Sequence, residues 1–227
     1  MIRHYNLKNV SNFRDLGGFM TESGNVTKYN KVFRSSAIYD LTDEERELLH
    51  KKGIKKVIDL RVQHELERKP SAFLTDDEIE YINIPLSDKW TNNADEVPNL
   101  YFDIVKDHAS MARVLKVIAN TDEPLVFHCS AGKDRTGIIS GILLSLNGVK
   151  EEDILADYIS SYAYIYKEFR ILKATVPEFK DFVGTMNVET LEITLKRIKE
   201  VYGSMEGYLK EIGLSDEEIV KLKNKLI

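Results

Sequence analysis

LVFHCSAGKDRTGIISGILLSL, Leu125 to Leu146, decides how this chain is read. LVFHC has the β-branched and aromatic content of a buried strand, and GIISGILLSL is the most apolar stretch of the sequence. That apolar stretch is about half the roughly 20 residues a membrane-spanning helix needs, so it is expected to be a buried helix. Between strand and helix lies HCSAGKDRTG, His128 to Gly137. A short loop that ends a strand and opens a helix turns backbone N–H groups toward one point, and the helix N-terminus adds partial positive charge there. Such a concavity binds an anion, and Gly132 permits a tight backbone approach. Cys129 begins the concavity, where the same donors stabilise a thiolate.

Arg135 follows Cys129 by six residues, so the loop can curl until the guanidinium faces the sulfur across a tetrahedral anion. Its planar fork gives two parallel bonds to phosphate oxygens, which Lys cannot do. The expected phosphate-binding set is Ser130, Ala131, Gly132, Lys133, Asp134, Arg135 and Thr136. Thr136 is placed to hydrogen-bond the sulfur and help it leave a phosphocysteine, and His128 to orient the loop. An already ionised nucleophile needs no Ser-type triad.

Around this unit, KVFRSS (31–36), KVIDLR (56–61) and YINIPL (81–86) read as further strands. Thr42 with Glu45 makes a capping box for a helix running toward His50, ended by Gly53. Apolar residues at helical spacing predict a helix from about Asn99 to Ala119. After Gly148 only helices follow: Glu151 to about Lys173, Val188 to Tyr202, Met205 to Ile212, and Asp216 to Leu226, the last begun by a Ser215/Glu218 capping box. This helical third is expected to pack on one sheet face. Tyr158, Tyr162, Tyr164, Tyr166 and Phe169 are too many aromatics for one buried stripe. The pattern as a whole is α/β, and no linker or repeat divides residues 1–227, so a single domain is expected.

The chain resembles the cysteine-dependent tyrosine phosphatase superfamily, with its HCxxGxxR loop followed by Ser or Thr. Within it, the chain is most similar to bacterial tyrosine and dual-specificity phosphatases with a GKDRTG loop, some of which also act on phosphoinositides. The similarity extends to NFRDLGG (12–18), FRSSAIYDLT (33–42), VIDLR (57–61), ADY (156–158) and YGSMEGYLKEIGLS (202–215). It implies a central mixed sheet flanked by helices with a helix-rich C-terminal third. It also implies metal-free, cofactor-free hydrolysis and a phosphocysteine intermediate. The implied substrates are phosphotyrosine, phosphoserine or phosphothreonine in proteins, or phosphoinositides.

Hydrolysis needs a proton donor, and two residues compete for that role. Asp134 precedes the loop Arg, as in the myotubularin lipid phosphatases. Asp88 lies with Trp90 after YINIPL, similar in placement to the mobile acid loop of most tyrosine phosphatases. Asp134 is the preferred reading and Asp88 the alternative. Lys133 is expected at the pocket rim, as in phosphoinositide phosphatases with HCKAGKGR loops. Asp15, Asp59 and Arg61 are expected in structural ion pairs.

Composition removes other classes. The formal net charge is -5, with 32 Lys and Arg against 37 Asp and Glu, and no basic run offers a nucleic-acid stripe. One Cys allows neither an internal disulfide nor a Cys-based zinc site, and five His lack ligand spacing, so no metal is expected. Lys133 is followed by Asp, which excludes a Walker loop. The N-terminal MIRHYNLKNVSNF lacks a secretory signal's apolar run, so a cytoplasmic location is expected. The competing classes are an anion-binding module without turnover, and a sulfur-transfer or arsenate-reducing enzyme that also uses a loop Cys.

Overall fold

The strand that opens the loop is the middle of the sheet. In the computed structural model, which describes residues 3–89, 91, 93–176 and 186–227, five strands lie in the order β1-β2-β5-β3-β4. These are β1 (Arg14–Asp15), β2 (Val32–Ser35), β3 (Lys56–Asp59), β4 (Glu80–Asn83) and β5 (Leu125–His128). β1 runs antiparallel to β2 and the other pairs are parallel, so the sheet is mixed. The four strands expected from sequence are present; the two-residue β1 was too short to leave a periodic signal.

Register fixes where function falls. Ser35 of β2 and Asp59 of β3 both pair with His128 of β5, so the three strands end level. The segments that follow them emerge side by side at the carboxyl edge, where open parallel sheets place ligands.

Alternation with period two divides the core between the two sheet faces. Val32, Ile58, Leu125 and Phe127 face one cluster, and Phe33, Val57 and Val126 face the other. The smaller cluster is covered by α1 (Asp43–Lys51) through Leu49, together with Phe13 and Phe73. The Thr42/Glu45 capping box begins α1, and Gly53 beyond it has φ 72°, a left-handed conformation that Gly takes without strain. The larger cluster collects α3 (Val97–Lys106), α4 (His108–Ala119), α5 (Asp134–Leu146), α7 (Val188–Tyr202), α8 (Met205–Glu211) and α9 (Asp216–Leu226). The helical C-terminal third therefore packs on one face, as expected. α5 buries nearly its whole circumference, and truncating Ile142 there to Ala is expected to cost about 2–5 kcal/mol. Among the described residues no helix is long and apolar enough to cross a membrane.

Two local readings need correction. The predicted helix over 99–119 is two helices, because Asp107 leaves helical geometry (φ -74°, ψ 72°) and its carboxylate accepts from the Ser110 N–H as the cap of α4. The apolar periodicity continues across the break and hides it. A short helix, α2 (Gln63–Arg68), follows β3 and was not anticipated; Glu65 in its first turn accepts from the Val62 N–H at 2.9 Å. The remaining long helix, α6 (Glu151–Thr175), packs along α5 and α7.

Candidate active site

The loop after β5 is held from outside by its carbonyls. The Ser130 carbonyl accepts from the Ala37 N–H at 3.0 Å. Asn12 Nδ2 donates to the carbonyls of Ala131 (3.0 Å) and Gly132 (2.9 Å), and an Arg34 guanidinium nitrogen donates to Gly132 at 2.8 Å. In a trans peptide, the N–H of the next residue points opposite to each carbonyl, and no described bond is cis. The amides of Ala131, Gly132 and Lys133 are therefore aimed away from Ala37, Asn12 and Arg34, and the N-terminus of α5 begins at Asp134. Amides so aimed, at the start of a helix, form a concavity of the kind that binds anions. Gly132 is essential to it: its φ is 65°, and a Cβ there would lie 2.2 Å from the Ser35 carbonyl oxygen.

Beneath the loop lies a buried cluster. Asp157 of α6 accepts from Arg14 at 2.8 Å and Arg34 at 2.7 Å, and from the partly exposed Arg3 at 2.8 Å. Burial opposes the charge on Asp157, but Arg14 and Arg34 overcome it and hold the carboxyl well below the usual range. Burial, with Arg14 beside it, lowers the Arg34 pKa to about 10. Asn12 sits in the left-handed region (φ 59°), and its side-chain oxygen accepts from Arg14, so one strained residue joins this cluster to the loop. Among the described residues Asp15 makes no ion pair, contrary to expectation; it accepts from the backbone N–H groups of Gly17 and Asn30 instead. Arg61 and Asp59 do pair, at 2.7 Å.

Cys129 is 2 % exposed at the cradle's inner end, within electrostatic reach of Arg135 and Arg34. Arg135 donates to both oxygens of Glu65 at 2.7 Å and to the Leu60 carbonyl at 3.2 Å. Burial disfavours its charge, yet the Glu65 bonds and the nearby sulfur outweigh this and raise its pKa. Glu65, opposed by its own burial but held by Arg135, is pushed down to about 2. Ser130 Oγ also donates to Glu65. His128 is fully buried; its Nδ1 lies 3.3 Å from the Cys129 carbonyl and 3.7 Å from Asp59, and burial lowers its pKa. A neutral imidazole donating from Nδ1 orients the loop, in line with the sequence reading. Thr136 Oγ1 is buried with no hydrogen-bond partner among the described residues.

The two candidate acids have different settings. Asp134 accepts from the hydroxyl of Tyr101, which is 2.8 Å from the hydroxyl of Tyr158. Burial, followed by the charge of Asp134, raises the Tyr101 pKa well above its ordinary value, so this phenol remains a donor. Asp88 is exposed after β4 and lies 3.2 Å from His64 of α2; Trp90, named with it, lies outside the described residues. Lys133 is not a rim residue: it is buried, 3.5 Å from Asp134, with its ammonium 5.8 Å from the centre of the Phe169 ring.

Sequence reasoning did not assign roles to Asn12, Glu65, Tyr101 or Asp157. Asn12 and Asp157 lie in stretches that matched the family, which was the available signal. Glu65 and Tyr101 are unremarkable in sequence, and only their partners identify them.

A sulfur at the end of a central strand, on a loop whose amides are turned inward and within electrostatic reach of a clamped guanidinium, is the arrangement of cysteine enzymes that handle phosphate esters. The comparisons agree: the model described as "Tyrosine phosphatase family" matches residues 5–227, and the chain belongs to that family. It is 29% identical over 214 residues to a tyrosine-protein phosphatase of Nostoc commune, covering 85% of this chain and 73% of that protein. It is 24% identical over 270 residues to the triple specificity protein phosphatase PtpB of Mycobacterium tuberculosis, covering 95% and 96%. Among solved structures, it is similar to the core catalytic domain of a PP-IP phosphatase from S. cerevisiae. That match has 18% identity, 90% and 98% coverage and a TM-score of 0.44. The chain is a phosphatase.

Proposed function

We propose that residues 1–227 act as one phosphatase domain on phosphorylated proteins through Cys129. The thiolate attacks phosphorus, and an S–P bond forms as the P–O bond to the leaving group breaks; the leaving oxygen takes a proton from Asp134. Water then attacks the phosphocysteine, Asp134 takes up its proton, the S–P electron pair returns to sulfur, and inorganic phosphate departs. Arg135 and the amides of the 130–136 loop bind the transferring phosphoryl oxygens, and Thr136 Oγ1 donates to the sulfur as it leaves.

The observation that carries this reading is the outward tethering of the loop carbonyls by Ala37, Asn12 and Arg34, which aims the intervening amides toward one point. Asp134 is favoured as the acid because it belongs to that loop and Tyr101 holds its carboxylate, whereas Asp88 is exposed and engaged with His64. Phosphotyrosine is the first substrate we assign; the name of the M. tuberculosis relative prompts us to add phosphoserine and phosphothreonine. A lone cysteine that must stay reduced fits a cytoplasmic setting.

Hydrolysis of p-nitrophenyl phosphate tests the chemistry. Wild type is expected to be active without added metal and inhibited by vanadate, and Cys129→Ser inactive. A folded wild type that binds phosphate but never turns over would favour a binding module. For the acid, Asp134→Asn is expected to lose more kcat on a poor leaving group than on a good one. The same pattern in Asp88→Asn alone would transfer the role to Asp88.

A further inference from the structure

α6 packs through one stripe. Ile154, Tyr158, Ser161 and Ile165 are buried at helical steps of four, three and four. The next residues on that stripe, Phe169 and Leu172, run past the edge of the core: Phe169 is half-buried and Leu172 is 40% exposed. They become the wall of a cavity of about 390 Å³ that also takes in Tyr39, the segment after β2. Ser130 and Ala131 of the catalytic loop form another part of its lining, so the cavity is continuous with the phosphate cradle. This also answers the surplus of aromatics on α6. Tyr158 is core, Tyr164 stacks on His4, Tyr162 and Tyr166 pack edge-to-face on the outside, and Phe169 faces the cavity.

The charged groups of this cavity are unequal. Arg61 is engaged by Asp59, Glu65 by Arg135 and Ser130, and Glu168 by the Ser11 hydroxyl. Arg68, at the end of α2, is exposed and makes no ion pair among the described residues, and the Lys69 ammonium lies 4.2 Å from the centre of the exposed Tyr39 ring. Two cations without a carboxylate partner among the described residues therefore line this largely apolar groove, against one carboxylate, Glu168, whose partner is a neutral hydroxyl, in a chain whose net charge is negative.

We propose that this groove binds the polypeptide around the phosphorylated residue, seating an apolar side chain on Ile165, Phe169 and Leu172 and an acidic side chain against Arg68 and Lys69. The inference rests on the phosphatase reading of the loop and adds its substrate preference. An inositol phosphate would also satisfy the cations and find partners among Ser11, Ser36 and Ser130, but it leaves the hydrocarbon of Ile165, Phe169 and Leu172 uncovered, which an apolar peptide side chain buries. Opposite charge at an exposed mouth changes capture more than turnover, so the preference is expected in KM and is expected to weaken with salt.

The test compares two phosphotyrosyl peptides, identical except for Glu or Lys residues flanking the phosphotyrosine, in wild type and in an Arg68→Glu, Lys69→Glu double variant. The readout is the ratio of the two kcat/KM values within one enzyme, so any general loss of activity cancels. Wild type is expected to favour the acidic peptide by about tenfold, and the double variant by less than about twofold or in the reverse sense. A ratio near one in wild type, or a preference that survives charge reversal, overturns the proposal. So does a short-chain phosphoinositide turned over faster than both peptides in wild type and lost on reversal, which would make the groove a headgroup site. Wild type inactive on p-nitrophenyl phosphate would instead sink the catalytic reading. Calorimetric binding of the two peptides to Cys129→Ser would then read the same affinity ratio without turnover.

Discussion

Two arginine–carboxylate clusters meet the catalytic loop, and they are built differently. Under the loop, Arg14 and Arg34 close on Asp157 with every member at most 2 % exposed, and Arg34 uses a second nitrogen on the Gly132 carbonyl. Beside the loop, Arg135 and Glu65 form a planar two-bond fork at the cradle, with side chains 9 % and 16 % exposed. The buried cluster fixes backbone, and its guanidinium nitrogens donate to protein acceptors, with Arg34 Nε left without a partner among the described residues. The other fixes one guanidinium beside the loop, and on the proposed mechanism that guanidinium receives the phosphate. Arginines of equal charge thus divide into framework and tool according to what already occupies their donors.

That division can be broken by experiment. The largest effect is expected from Arg135→Lys, which keeps the charge but loses the fork: kcat/KM should fall about 10³-fold, roughly 4 kcal/mol of transition-state binding, with little change in Tm. A modest loss of activity there would remove the distinction between the clusters.

Asp157→Asn should act in the opposite sense. It leaves Arg14 and Arg34 buried without a counter-charge, at a cost of about 3–5 kcal/mol, read as a fall in Tm on the order of 10 °C. The wild-type carboxyl is held below its ordinary value of 3.8, so its contribution to stability is complete above that pH and is lost only as pH falls through the lower folded value. Acid unfolding that began near neutrality would contradict this.

Glu65→Gln should lower kcat/KM by about tenfold by loosening Arg135, with a smaller stability cost because the pair is partly exposed. Glu65 has a folded pKa of about 2 against an ordinary 4.5, so it stays ionised throughout the working range. The acid limb of the pH–rate profile between about pH 4.5 and 7 should therefore not move in this variant, and a displaced limb would mean Glu65 titrates during catalysis.

The smallest effect is expected from Tyr101→Phe. Removing the hydroxyl that donates to the Asp134 carboxylate should lower kcat by a few fold with little change in KM. An unchanged kcat would make Tyr101 a packing residue only.

How far the sequence alone reaches follows from the same contrast. His128 to Gly137 is contiguous, and strand, tight Gly and helix start are local properties, so the strand–loop–helix unit that carries Cys129 and Arg135 was readable without a fold. The strands at 32–35, 56–59, 80–83 and 125–128 were readable for the same reason: alternation is a short-range signal. The break at Asp107 was missed because apolar spacing was continuous on both sides of it, and Lys133 was placed at the rim because its partners, Asp134 and Phe169, were not known to enclose it.

What the amino-acid order determined is therefore the reactive loop, the α/β class and the packing of the helical third on one face, all governed by neighbouring residues. Tertiary structure decided which charges are paired. Glu65 lies 70 residues from Arg135, Asp157 lies 123 from Arg34, and Asn12 lies 120 from Gly132. A charge records no partner in its own sequence neighbourhood. The partner is chosen by strand order and helix packing, which bring distant residues within about 3 Å and exclude the water that would otherwise take their place.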